Sequence, residues 1–227
     1  MGVVCIALAA LEPEAPARGP AVLDFAFALL RVFGAFTALW WTIRSWEQEL
    51  AGRTLHVVLS KPISRVGYLW ARYLGVLGAL GVGAAVTLVA LSGLMLVLQT
   101  FEPLLCCLVI AMWFEWALLA AMALFFATVT APLLAWLYGV SFFILGHFAI
   151  AIRIFADTEI RVNAANYYLG HILYYAVPHF DLFDRARLLY QGSWSWAQWG
   201  AGLLYAGALA GLFVCVAGWN LESKELE

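Results

Sequence analysis

The sequence predicts an all-α, polytopic membrane bundle, and three observations predict it. Of the 227 residues, 65% are hydrophobic and only 11% charged, with a mean hydropathy of +0.91. A water-soluble domain carries about half apolar and about a quarter charged residues. The apolar residues fall into five long runs, each reaching the ~20 residues a helix needs to cross a ~30 Å hydrocarbon core. Tryptophans gather at the ends of the first and last runs (Trp40, Trp41 and Trp46; Trp194, Trp196, Trp199 and Trp219), as in interfacial aromatic belts. A net charge of −2 and a pI near 6.1 exclude a basic nucleic-acid binder and an acidic disordered tail.

The elements follow in chain order. Residues 3–11 are apolar and are closed by Glu12-Pro13-Glu14-Ala15-Pro16. At helical rise they cover roughly 14 Å, about half a bilayer. No positive residues precede them and no small-x-small cleavage site follows, so residues 1–11 read as a partial amino-terminal span rather than a signal peptide. Full spans are expected over 21–43, 68–98, 104–129, 133–152 and 196–217. The second is longer than the hydrocarbon requires and should tilt or project. Pro132 marks a very short turn between the third and fourth. Arg44, Arg53, Lys61, Arg65 and Arg72 make the loop after the first full span the most basic, which places it in the cytoplasm. Alternation then puts 99–103 outside, 130–132 inside, 153–195 outside and the tail 222–227 inside. Within 153–195, the aromatic stretch 167–175 and the stretch 180–190, separated by Pro178, read as two short interfacial helices.

Polar residues inside the spans are functional candidates by default. Glu115 lies midway along the third span, and Arg31 lies at comparable depth in the first. They read either as a polar path or moving ion pair, or as a static pair fixing helix register. His147 in the fourth span has no second histidine at ligand spacing, and His171 and His179 lie eight apart in the outer segment, so no metal site is expected. Cys5, Cys106, Cys107 and Cys215 form no CxxC pair and read as small apolar side chains. Gly75, Ala79 and Gly83 fall on one helical stripe and predict a helix-packing face, toward either another span of this chain or a second copy. No Ser/His/Asp or Cys/His constellation suggests intramembrane catalysis.

The stretch 46–65 is larger than an anchor on anionic headgroups requires, although that reading stays open. Leu50, Leu55, Val58 and Leu59 fall near one face of an amphipathic helix over 47–59, with Glu47, Glu49, Arg53 and His56 elsewhere on it. Ser60-Lys61-Pro62-Ile63-Ser64-Arg65 then breaks the helix, and Ser64 can cap the next one. A push on this break would pass directly into the long span.

These residues bring a family resemblance. The pattern Glu47-x-Glu49, Thr54-Leu55, then Ser60-Lys61-Pro62-Ile63-Ser64-Arg65 with Tyr68 and Arg72 resembles the signature of type 2 ATP-binding-cassette exporter permeases. The subgroup it most resembles includes the permease for copper-site maturation of nitrous oxide reductase. Arg53 stands where the family has glycine before the threonine, and the short amino-terminal element departs from its six spans. The likeness extends to a proline-centred segment over 177–184 and a short charged tail. It implies a permease in a bacterial or archaeal plasma membrane, carboxyl terminus cytoplasmic. Glu47, Glu49, Arg53, Thr54, Leu55, Ser60, Lys61, Pro62, Ile63, Ser64 and Arg65 would form its ATPase-coupling segment. It further implies two ATPase copies, a second permease copy (identical or related), lipid contact and accessory subunits. ATP and Mg would be bound by the ATPase, because this chain has no Gly-rich loop ending in Gly-Lys-Ser/Thr. On that reading the chain is no enzyme and binds no cofactor or nucleic acid. A haem-exporter-like permease of cytochrome c maturation is the neighbouring alternative. A self-sufficient channel or secondary carrier is another, and would gather ionisable residues near the midplane beside broken helices.

Overall fold

A computed structural model describes residues 18–52, 64–98, 104–159, 164–183 and 196–223. All regular structure among them is helical. In chain order the helices are α1 (Arg18–Ala51), α2 (Arg65–Leu98), α3 (Leu105–Val129), α4 (Pro132–His147), α5 (Ala149–Glu159), α6 (Ala164–Ala176) and α7 (Trp196–Ser223), with a 3₁₀ turn at Phe180–Phe183 between α6 and α7. Four of them, α1, α2, α3 and α7, are long and apolar enough to cross a membrane. The protein is a multi-pass membrane-embedded helical bundle.

The bundle is organised around α3. Its most hydrophobic stretch is 72% buried, against 28–33% for the other three spanning helices. α1, α2, α4 and α7 all pack on it. The reason lies in its composition: small and flexible residues from Ala117 to Leu124 are buried on every face, so a helix can approach from any side. The surrounding helices bury one stripe each. On α2 that stripe is Leu69, Tyr73, Val76, Leu80, Ala84, Thr87, Leu91 and Met95, while Val82, Val86, Val89 and Leu96 face outward. Outward apolar residues of this kind are expected where the solvent is hydrocarbon.

The carboxyl-terminal end of α1, the start of α2, the α3–α4 turn and the carboxyl-terminal end of α7 lie at the same end of the bundle. Arg65 donates to the Leu221 carbonyl oxygen, and Asn220 Nδ2 donates to that of Thr128 at 3.3 Å. This matches the alternation expected from the sequence. Ser64 caps α2 as anticipated, its Oγ accepting the Gly67 N–H at 3.1 Å.

The structure corrects several expectations. Residues 47–51 belong to no separate amphipathic helix; they are the last turn of α1. The fourth span, expected unbroken over 133–152, divides at Phe148 into α4 and α5, bent by 57°. The bend has a local cause. Gly146 is overlain by Phe180 and Pro178, and a Cβ there would lie 2.2 Å from the Phe180 ring and 2.5 Å from the Pro178 carbonyl oxygen. Trp46 sits in the core, under the Arg72 guanidinium, whereas Trp40 and Trp41 are exposed. Cys106 and Cys215 face outward instead of filling the core. A Cβ added at Gly75 or Gly83 would meet no atom within 4 Å among the described residues. The partial span over 1–11, the stretch 184–190 and Trp194 lie outside the described residues.

Candidate functional site

Glu115 is fully buried in α3, and two other helices bring basic side chains to it. Arg31 of α1 places Nε 3.2 Å from Oε2, and His147 of α4 places Nε2 3.4 Å from Oε1. A carboxylate inside an apolar bundle is tolerated when opposite charge and hydrogen-bond donors surround it. Each partner is fixed in turn. Arg31 Nη2 donates to the Phe183 carbonyl oxygen at 2.9 Å, linking the triad to the 3₁₀ turn. His147 Nδ1 lies 3.0 Å from the Phe143 carbonyl oxygen one turn earlier in α4. Its ring stacks on Phe180 at 5.8 Å and meets Phe143 edge-on at 4.6 Å.

Trp116 closes one side. Its indole Nε1 donates to the Arg31 carbonyl oxygen at 3.2 Å. Gly34, one turn along α1 from Arg31, makes room for that ring: a Cβ at position 34 would fall 2.0 Å from it. An open apolar groove of about 550 Å³ runs between α1 and α2, lined by Trp116 with Leu30, Phe33, Gly34, Ala79 and Gly83. The predicted glycine stripe therefore contributes Ala79 and Gly83 to a groove.

The sequence marked all three members of the triad but paired only Arg31 with Glu115. A usable signal for His147 was present. Glu115 is 14 residues before Val129 and His147 is 15 residues after Pro132, and α3 and α4 are antiparallel across a tight turn. Residues equally far from such a turn share a depth. His171 and His179 sit elsewhere: His171 Nε2 is 3.0 Å from Asp157 Oδ1, and His179 Nδ1 is 3.4 Å from the Tyr205 hydroxyl. Among the described residues no three metal-binding side chains converge.

A second polar cluster ties the ends of α1 and α2. Arg72 pairs with Glu49, donates to Ser45 Oγ at 2.9 Å and lies 5.3 Å above the Trp46 ring, and the Tyr68 hydroxyl donates to Glu49. Arg72 is nearly buried, so these contacts are shielded from screening. Replacing Arg72 with alanine should cost about 1.5–3 kcal/mol, the range for hydrogen bonds to charged groups, with lysine recovering part of it. Thermal unfolding in detergent checks this. Of the expected coupling residues, Glu49 is in this cluster and Arg65 reaches α7. Ser64 caps α2, and Glu47 makes an exposed pair with Arg44 at 3.2 Å that adds little stability. Arg53, Thr54, Leu55, Ser60, Lys61, Pro62 and Ile63 lie outside the described residues.

No family model matches this chain, and no curated protein or solved structure matches it.

Proposed function

We propose that this chain is the membrane-spanning permease subunit of a transporter energised by a separate ATPase that docks on the segment from Glu47 to Arg65. The observation that carries this reading is the knot around Arg72. The two helices flanking the 53–63 segment are bound to each other through Glu49, Tyr68 and Ser45, and α2 is bound through Arg65 to α7. A force applied to the segment would therefore move three spans as a unit instead of fraying the nearest helix end. The family resemblance of the same stretch supports the docking role, with its glutamates, proline break and Ser64-Arg65 turn.

On this reading the knotted end is cytoplasmic, α4 and α5 together form a fifth, bent span, and ATP with Mg resides on two partner ATPases. A second permease copy, lipid and accessory subunits complete the assembly. Purification in mild detergent should retain an ATPase, and transport should require ATP. Pro62→Ala combined with Lys61→Ala should lower ATP-coupled transport while leaving the unfolding temperature near that of the parent. Normal transport by that variant would remove the docking role.

One observation favours a second reading, an ATP-independent carrier. Three ionisable side chains converge where a helix is bent, the arrangement such carriers use for substrate or ion binding. Transport by the isolated chain in vesicles driven by an ion gradient, without ATP, would select it.

A further inference from the structure

We propose that His147 and Glu115 together form a binding site for one exchangeable proton, whose release weakens the tie between α3 and the α4–α5 bend. The inference is independent of which energy source drives the protein.

Two acceptor oxygens lie beside the His147 ring, and a neutral ring has one N–H to offer them. Nδ1 lies 3.0 Å from the Phe143 carbonyl oxygen, and Nε2 lies 3.4 Å from Glu115 Oε1. Both oxygens are acceptors. A neutral imidazole carries one N–H. If that hydrogen is on Nδ1, the Nε2 lone pair confronts the carboxylate; if it is on Nε2, the Nδ1 lone pair confronts the carbonyl. Both contacts are attractive only with one further proton between ring and carboxyl, either on the ring as imidazolium or on Glu115 as a neutral acid donating to Nε2.

Opposing effects make this proton exchangeable. Contact complementarity favours uptake, and so does the position of His147 as the last residue of α4, where the helix dipole favours a cation. Uptake also raises the summed formal charge of Arg31, Glu115 and His147 from zero to plus one in an apolar interior, which favours release. Of the elements packed on α4, α1 carries Asp24 and Arg31, α3 carries Glu115, and α5 carries Arg153 and Asp157; Glu115 faces His147 and pairs with Arg31, and Arg153 pairs with Asp157. Asp181 of the 3₁₀ turn acts on Tyr205 of α7.

Release has a mechanical consequence because of where the ring sits. His147 immediately precedes the break at Phe148, whose N–H is shared between the Ile144 and Leu145 carbonyl oxygens at 3.3 and 3.1 Å. Once the proton leaves, the ring can keep only one of its two contacts. If it keeps the Phe143 contact, the tie from His147 to Glu115 of α3 is lost, and the bend is held by the packing of Phe180 on Gly146 and His147 and by the remaining α3–α4 contacts.

The test uses the full chain in phosphatidylcholine nanodiscs, with ¹⁵N-labelled histidine and a pair of spin labels at Val129 and Thr158, both exposed, after replacement of the native cysteines. The His147 signal is identified by its loss in His147→Gln. Between about pH 5 and about pH 9, a range that brackets histidine titration, the pair should lose one proton as pH rises. That proton is seen as imidazolium in the nitrogen spectrum or as a protonated Glu115 carboxyl in the infrared. The label distance should shift in the same pH interval, and Glu115→Gln should abolish the shift. A neutral ring beside an ionised Glu115 at every pH would overturn the proposal. So would a label distance that is unchanged when the proton leaves, and the labelled chain with His147 and Glu115 both intact decides both.

Discussion

Replacing Glu115 with alanine should lower the stability of the bundle by about 3–5 kcal/mol, the cost of removing one member of a buried ion pair and leaving its partner uncompensated. Arg31 would lose the contact at 3.2 Å and His147 the one at 3.4 Å, with the Phe183 carbonyl oxygen left to satisfy Arg31 on one side. The sign of the effect distinguishes charge from volume. Glu115→Gln keeps the shape and should cost less, while the double change Arg31→Met with Glu115→Leu should recover most of the loss, because an apolar pair has no desolvation to repay. Denaturation in detergent, followed by tryptophan fluorescence, measures all three. If the alanine variant unfolds with the parent, the triad is not a buried electrostatic unit.

The second large effect is expected at Gly146. A methyl group there meets both the Phe180 ring and the Pro178 carbonyl oxygen, and the latter is backbone that cannot rotate aside. Overpacking of this kind costs about 1–3 kcal/mol. Gly146→Ala should therefore lower the unfolding temperature and displace the 3₁₀ turn, weakening the Arg31–Phe183 hydrogen bond. Gly83→Ala is the matched comparison, since nothing stands within 4 Å of a Cβ at that position. It should be neutral or stabilising by about 0.4–1 kcal/mol through the unfolded chain. Equal losses at both positions would show that the bend does not depend on the contact at Gly146.

The two variants also mark where reading the sequence succeeds and where it stops. Gly146 and Gly83 are both glycines within apolar runs, and nothing in either run says which is covered. The stripe through Gly75, Ala79 and Gly83 had helical spacing for packing, yet α2 turns its larger residues, Leu69 to Met95, toward α3. Trp46 resembled the other belt tryptophans until Arg72 covered it. Arg31 and Glu115 were legible because charges in apolar runs stand out singly and their depths agree. The Arg72 knot was not, since its members came from what read as loop and span.

Taken alone, the sequence determined the class of the protein: helical and multi-pass, with a long apolar helix at four of the five expected spans, and α2 capped at Ser64. These are local quantities, fixed by segment length, hydropathy and a few capping residues, because a bilayer obliges each span to satisfy its own backbone. Tertiary structure alone decided the rotation of each helix about its axis, the break at Phe148 and the arrival of His147 at Glu115. Those depend on which faces of neighbouring helices fit one another at side-chain distances, and lipid, as apolar as the side chains it touches, leaves little hydropathy contrast from which to read a facing direction.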